Sequence, residues 1–137
     1  MAIDLRYNAE VTDIVEATEQ FITDTVLPLE DEFKGDLEAA GGDDLRIEMQ
    51  GKAKAAGIFA PHAPVEYGGL GLNMSDRAPV FEAGGRSVFG PFALNINAPD
   101  EGNVHMLAHI ASEGQKQQFL APLSLIHISE PTRPRLI

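Results

Sequence analysis

Apolar residues recur at three- and four-residue intervals along most of this chain, the period of helices with one buried face. Val11, Ile14, Val15, Thr18, Phe21, Ile22, Val26, Leu29 and Phe33 form the first such stripe, with Asp13, Glu16, Glu19 and Asp24 on the other face. Pro28 falls inside it and predicts a bend. A second helix is expected after Gly41-Gly42, capped by Asp43 or Asp44 and running to about Ala56, with Leu45, Met49, Ala53 and Ala56 buried and Gly57 as its stop. A third is expected from a Ser75 cap through Val80, Phe81 and Ala83 to Arg86, although Pro79 sits late for a first turn. Gly84-Gly85 near its end costs roughly 1 kcal/mol per glycine, which close packing of another backbone would explain. The fourth is expected to start at Pro99 and bury Val104, Leu107, Ala108, Ile110 and Ala111. A short fifth spans Glu113–Leu120 and is ended by Pro122. The pattern is all-α: an up-and-down bundle of four to five helices.

Residues 55–72 are the one long stretch that cannot be helical. Pro61 and Pro64 lack backbone donors, and Gly68, Gly69 and Gly71 permit left-handed turns. Yet Ile58, Phe59, Val65, Tyr67, Leu70 and Leu72 are too apolar for a solvated linker. A rigid loop packed across the helices is expected.

Charge and composition exclude several functions. A net charge of −11 argues against nucleic-acid binding, which needs a basic footprint. The chain has no cysteine, hence no disulfide framework or thiolate metal site, which suits a cytoplasmic location. No window is apolar for long enough to span a membrane, and the N-terminus lacks the pattern of a secretory signal.

Candidate chemistry is sparse. Glu30-Asp31-Glu32 reads as a solvated face, because consecutive residues point around a helix and do not converge. His105 and His109 share a helix face at the spacing that zinc helices use, but the residue after His105 is Met106 and no third ligand is evident, so no metal site is assigned. Gly69-Leu-Gly71 fails as a dinucleotide fingerprint: the third glycine would fall at Met74 and no strand precedes it. Nothing places a base beside a serine for nucleophilic catalysis. Asn95, Asn97, Asp100 and Asn103 form a polar cluster in apolar surroundings, which helix capping by Asp100 and Asn97 would explain.

Two segments resemble a known family. Gly57-Ile58-Phe59 followed by Pro64-Val65-Glu66-Tyr67-Gly68-Gly69-Leu70-Gly71-Leu72 is similar to the P-E-x-Y-G-G-L-G signature of acyl-CoA dehydrogenases, with Val65 where many members carry a second Glu. Glu113, Gln115, Lys116, Leu120, Pro122 and Leu123 match a second family segment. The Ala98-Pro99-Asp100 and Gly102-Asn103 variant resembles a subgroup acting on long or branched acyl chains. The resemblance spans about Val11 to Leu123 and implies the N-terminal helical domain of an enzyme that uses FAD to dehydrogenate an acyl-CoA, a homo-oligomer when full length. It implies that Phe92, Asn95, Ile96, Asp100 and Asn103 line the distal acyl pocket. No residue matches the family's catalytic base, and most flavin contacts belong to later domains. The chain alone is therefore expected to be inactive and to bind FAD weakly or not at all. An acyl-CoA oxidase or flavin monooxygenase of the same fold, or a non-catalytic helical interaction module, are the alternatives.

From Leu123 to Arg133 the chain resembles the translation of a transposase-type sequencing adaptor. The expected division is a helical domain at 1–123 and a non-native tail at 124–137.

Overall fold

The structure, a computed structural model, describes residues 6–126. Among them the regular structure is helical: α1 (Ala9–Phe21), a π turn (Ile22–Val26), α2 (Leu27–Glu32), α3 (Gly42–Ala55), α4 (Met74–Gly84), α5 (Gly90–Leu94), α6 (Asp100–Ile110), α7 (Glu113–Gln115), a second π turn (Lys116–Leu120) and α8 (Ala121–Ile126). The pieces α1–π–α2 and α7–π–α8 are each one continuous rod, so the fold is six helices. It is all-α, as the periodicity predicts. Residues 127–137, most of the expected tail, lie outside the described residues.

Both π turns end two residues before a proline, and the two prolines have one physical problem. Pro28 and Pro122 cannot donate to the carbonyl four residues back, and their rings crowd it. In each rod the residue before the proline donates five residues back: Leu27 to Ile22 O and Ala121 to Lys116 O. The widened turn carries the helix past the proline. Pro122 thus does not end the last helix, as the sequence pattern suggested. Pro28 marks the irregularity in the first one.

The first rod lies against α4, and α3 lies against α5. Ile22, Val26, Met49, Ala53, Phe89, Ala93 and Leu94 meet in the core between them. Burying the Ile, Val, Met, Phe and Leu side chains among these stabilises the fold by about 1.5–3 kcal/mol each. Val104 of α6 and Leu120 of the second π turn close the same core. Gly84 and Gly90 permit the tightest approach. A Cβ on Gly90 would stand 1.9 Å from the Gly84 carbonyl oxygen, and one on Gly84 would stand 2.6 Å from Leu94 Cδ1. This explains Gly84 but not Gly85, whose nearest neighbours belong to its own helix.

Several helix ends differ from expectation. Gly41, at φ +125°, holds the N-cap position of α3 without a side-chain bond, leaving Asp43 and Asp44 in the first turn, where the macrodipole favours them. Asn73, not Ser75, caps α4: its Oδ1 accepts from Asp76 N at 2.9 Å. That shift puts Pro79 in the helix interior, and the helix stops at Gly84 rather than Arg86. Ala56 and Ile110 are exposed rather than buried, each lying at or just past the frayed end of its helix. Gly57 does provide the left-handed stop after α3, at φ +73°.

The loop between α3 and α4 packs largely as the pattern predicts, except that Val65 is 69% exposed. Ile58, Phe59, Ala60 and Ala63 are buried. Ala60 N donates to Leu94 O at 2.9 Å, tying the loop to α5, while Leu70 N and Gly71 N fold back onto Ala60 O and Ala63 O. Gly69 is pressed on Ala63 O, only 2.1 Å from where its Cβ would be.

Candidate functional site

The five residues expected to line an acyl pocket sit on α5, its exit and the start of α6. Asn95 ends α5 in a left-handed conformation at φ +58° and is fully buried, with Nδ2 3.4 Å from the carbonyls of Leu123 and Ser124. Phe92 is half-buried, and its carbonyl accepts from Gln50 Nε2 at 3.0 Å. Ile96 packs against Gly84. Asp100 opens α6 with no solvent exposure, whereas Asn103, three residues on, is exposed. Asn95 and Asp100 thus belong to the interior, Ile96 is half-buried like Phe92, and Asn103 lies on the surface. The N-cap position of α6 is Pro99, with no side-chain cap bond. Capping therefore does not account for Asn97 or Asp100. Asp100 places its buried side chain at the positive end of α6.

Ser124, the first residue of the expected tail, is fully buried, and its hydroxyl donates to Tyr67 O at 3.0 Å. Glu30 is also not merely solvated. It accepts from the Ser87 hydroxyl and, at 3.0 Å, from Val88 N, while Ser87 Oγ accepts from Phe89 N and Gly90 N. The pair fixes the turn that leads into α5.

A cavity of about 650 Å³ lies elsewhere, where the loop and the start of α4 face α6. Its walls include His62, Leu72, Asn73, Arg77, His105 and His109, and none of the five acyl-pocket candidates. His62 lies within the turn closed by Ala63 N to Ala60 O, and its ring meets Phe81 edge-on at 5.8 Å. Only 6% exposed, it is held neutral: burial, helped by the charges of Arg77 and His105, pushes its pKa from 6.5 down to about 4. Arg77 is buried beside it, 3.5 Å from Glu101 Oε1 on α6. His105 and His109 meet edge to face, ring centroids 4.5 Å apart. Sequence reading weighed those two only as zinc ligands and did not single out His62 or Arg77. Their convergence depends on the loop folding back, which no local spacing encodes. Among the described residues no three His, Cys, Asp or Glu side chains are grouped to hold a metal.

Gly69-Leu-Gly71 is not a dinucleotide-binding turn. Gly69-Leu-Gly71 lies in an irregular loop pressed on Ala63, not in a strand-to-helix turn that would present backbone N–H groups to a pyrophosphate.

An all-α domain of this connectivity, with a packed Pro/Gly loop between its α3 and α4, defines the class. The family model of the acyl-CoA dehydrogenase N-terminal domain matches residues 8–125, and the chain belongs to that family. It is 32% identical over 121 residues to mouse (Mus musculus) acyl-CoA dehydrogenase family member 10, covering 82% of this chain and 11% of that protein. Mouse family member 11 is 33% identical over 118 residues, with 81% and 15% covered. A solved structure from Mycobacterium abscessus, assigned as an acyl-CoA dehydrogenase, superposes with a TM-score of 0.71 at 33% identity, covering 87% of this chain and 32% of that one. The chain thus spans less than a third of any of these three relatives.

Proposed function

We propose that this chain is the N-terminal helical domain of an FAD-dependent acyl-CoA dehydrogenase, an oxidoreductase that introduces a double bond between Cα and Cβ of an acyl-CoA thioester. The observation that carries the reading is the family match over residues 8–125, on a chain whose helices follow the same order as a solved relative. The flavin supplies the redox chemistry when bound, and it would be held by domains beyond this helical one. The part of this chain is to shape the far end of the acyl site. Phe92, Asn95, Ile96 and Asp100 form its inner wall, with Asn103 at the rim. The same reading divides the chain into a domain at 1–123 and a non-native tail at 124–137, and makes the full enzyme a cytoplasmic homo-oligomer acting in fatty-acid oxidation. Among the described residues no helix is long and apolar enough to cross a membrane.

The test compares this chain with the product of a source gene whose reading frame is followed past the codon for Leu123. The longer product is expected to retain flavin through gel filtration and to reduce an artificial electron acceptor with acyl-CoA. The 137-residue chain is expected to elute without flavin. Stoichiometric flavin on the short chain would overturn its assignment as a cofactor-free domain. Reduction of dioxygen in place of the artificial acceptor would point to an oxidase.

A further inference from the structure

Basic side chains are scarce in this protein, with 10 Lys and Arg against 21 Asp and Glu. The cavity between the loop, α4 and α6 nevertheless gathers Arg77 with His62, His105 and His109, and no Asp or Glu among the described residues lines it. The nearby carboxylates are engaged. Glu101 faces Arg77 at 3.5 Å, and Asp76 is turned into the α4 cap, where its Oδ2 accepts from Asn73 Nδ2 at 2.9 Å. Asn73 and Met74 bring the first turn of α4 to the cavity wall, and with it the positive end of an 11-residue helix.

A second observation points the same way. His62 is 6% exposed, and neither of its ring nitrogens has a hydrogen-bond partner. Leaving a buried donor unmatched is costly, so such groups normally have a protein, water or ligand partner. An acceptor entering the cavity would supply one. A cation would meet the charge of Arg77, whereas an oxyanion would meet guanidinium N–H donors beyond Nη2, which already faces Met74 Sδ and Glu101 Oε1.

We propose that this cavity is an anion-binding site. It takes a compact phosphate or carboxylate group through Arg77, His62, His105 and His109, with any attached carbon chain lying against Leu72 and Ala108. The inference rests on this wall alone and stands whether or not the dehydrogenase reading holds.

The test is an NMR titration of the histidine imidazoles in the full 137-residue chain near neutral pH and at constant ionic strength. Inorganic phosphate and octanoate are added in separate series. Saturable shifts at His62, His105 and His109 are expected. Saturation by phosphate alone assigns a phosphoryl ligand, and saturation by octanoate alone assigns a carboxylate with an apolar tail. Saturation by both assigns the shared oxyanion. Arg77 is buried and its loss could unfold the chain, so the variant of choice is His105→Gln with His109→Gln, both on the surface. With His62 as reporter, it should bind at least about tenfold more weakly, the loss of hydrogen bonds from two imidazoles to an ionised acceptor. No saturable shift with either anion, or unchanged affinity in the double variant, overturns the proposal.

Discussion

His62 is the residue whose position costs the fold most visibly. Its pKa is lowered from 6.5 to about 4, so the unfolded chain binds a proton there more readily than the folded one. Its contribution to stability is therefore fully present above about pH 6.5, falls as the pH drops towards 4, and is lost below that. A shift of that size corresponds to a loss on the order of 3 kcal/mol. His62→Phe keeps an aromatic ring against Phe81 and cannot titrate. Denaturant midpoints measured from pH 7 to pH 4 should fall less steeply in this variant than in the parent; parallel curves would show that other groups carry the acid sensitivity. Ser87 is a second buried polar residue on which the fold depends. Ser87→Ala would strip the acceptor from Phe89 N and Gly90 N, which are buried, and leave Glu30 without its hydroxyl partner. The expected destabilisation is about 1–3 kcal/mol in chemical denaturation. A loss within a few tenths would mean that water replaces the hydroxyl.

At the scale of elements, periodicity located the helices because burying a stripe is a local requirement, written every three or four residues. Leu45, Met49 and Ala53 are buried as read. What periodicity missed were features set by partners distant in sequence. Asn73 rather than Ser75 caps α4, since either could do so locally and the loop decides where the chain turns. Pro122 looked like a stop because the π turn that rescues it leaves no mark in the hydrophobic pattern. Of the acyl-pocket candidates, the burial of Asn95 and Asp100 depends on the last helix and on α6, so the residues could be named but not placed. The glycine pair suggests a close neighbour, and the structure shows it for Gly84 alone: α5 approaches with Gly90 at the Gly84 carbonyl and Leu94 beside its Cα. That contact gives a sharp contrast between glycines. Gly90→Ala drives its Cβ into the Gly84 carbonyl and should destabilise by about 3 kcal/mol or more. Gly102→Ala, in α6 with nothing within 4 Å, should stabilise by about 0.5–1 kcal/mol. Thermal melts of both variants check the pair, and equal effects would disprove the close approach.

The whole molecule combines a well-filled core with a surface that is apolar in places. Ile22, Val26, Phe89, Leu94, Val104 and Leu120 are at most 1% exposed, which favours a single cooperative unfolding transition. Met106 and Ile110 share a face of α6 and are 47% and 75% exposed, and Phe119 of the neighbouring rod is 50% exposed. Large aliphatic and aromatic groups standing in water on adjoining elements form a surface suited to cover by another body. Under the dehydrogenase reading that body is the remainder of the longer polypeptide, since the chain spans 32% or less of the relatives it matches. The isolated chain should therefore bind a hydrophobic dye such as ANS in its native state while still melting cooperatively. Ile110→Lys with Met106→Gln should reduce the dye signal and leave the melting temperature within a degree or two, because neither side chain contributes to the core. The two readouts separate the possible causes. Dye binding with a broad, non-cooperative melt would indicate a loosely packed core, and the double variant would then leave the fluorescence unchanged. A cooperative melt without dye binding would favour a self-sufficient helical module over a domain that awaits its neighbours.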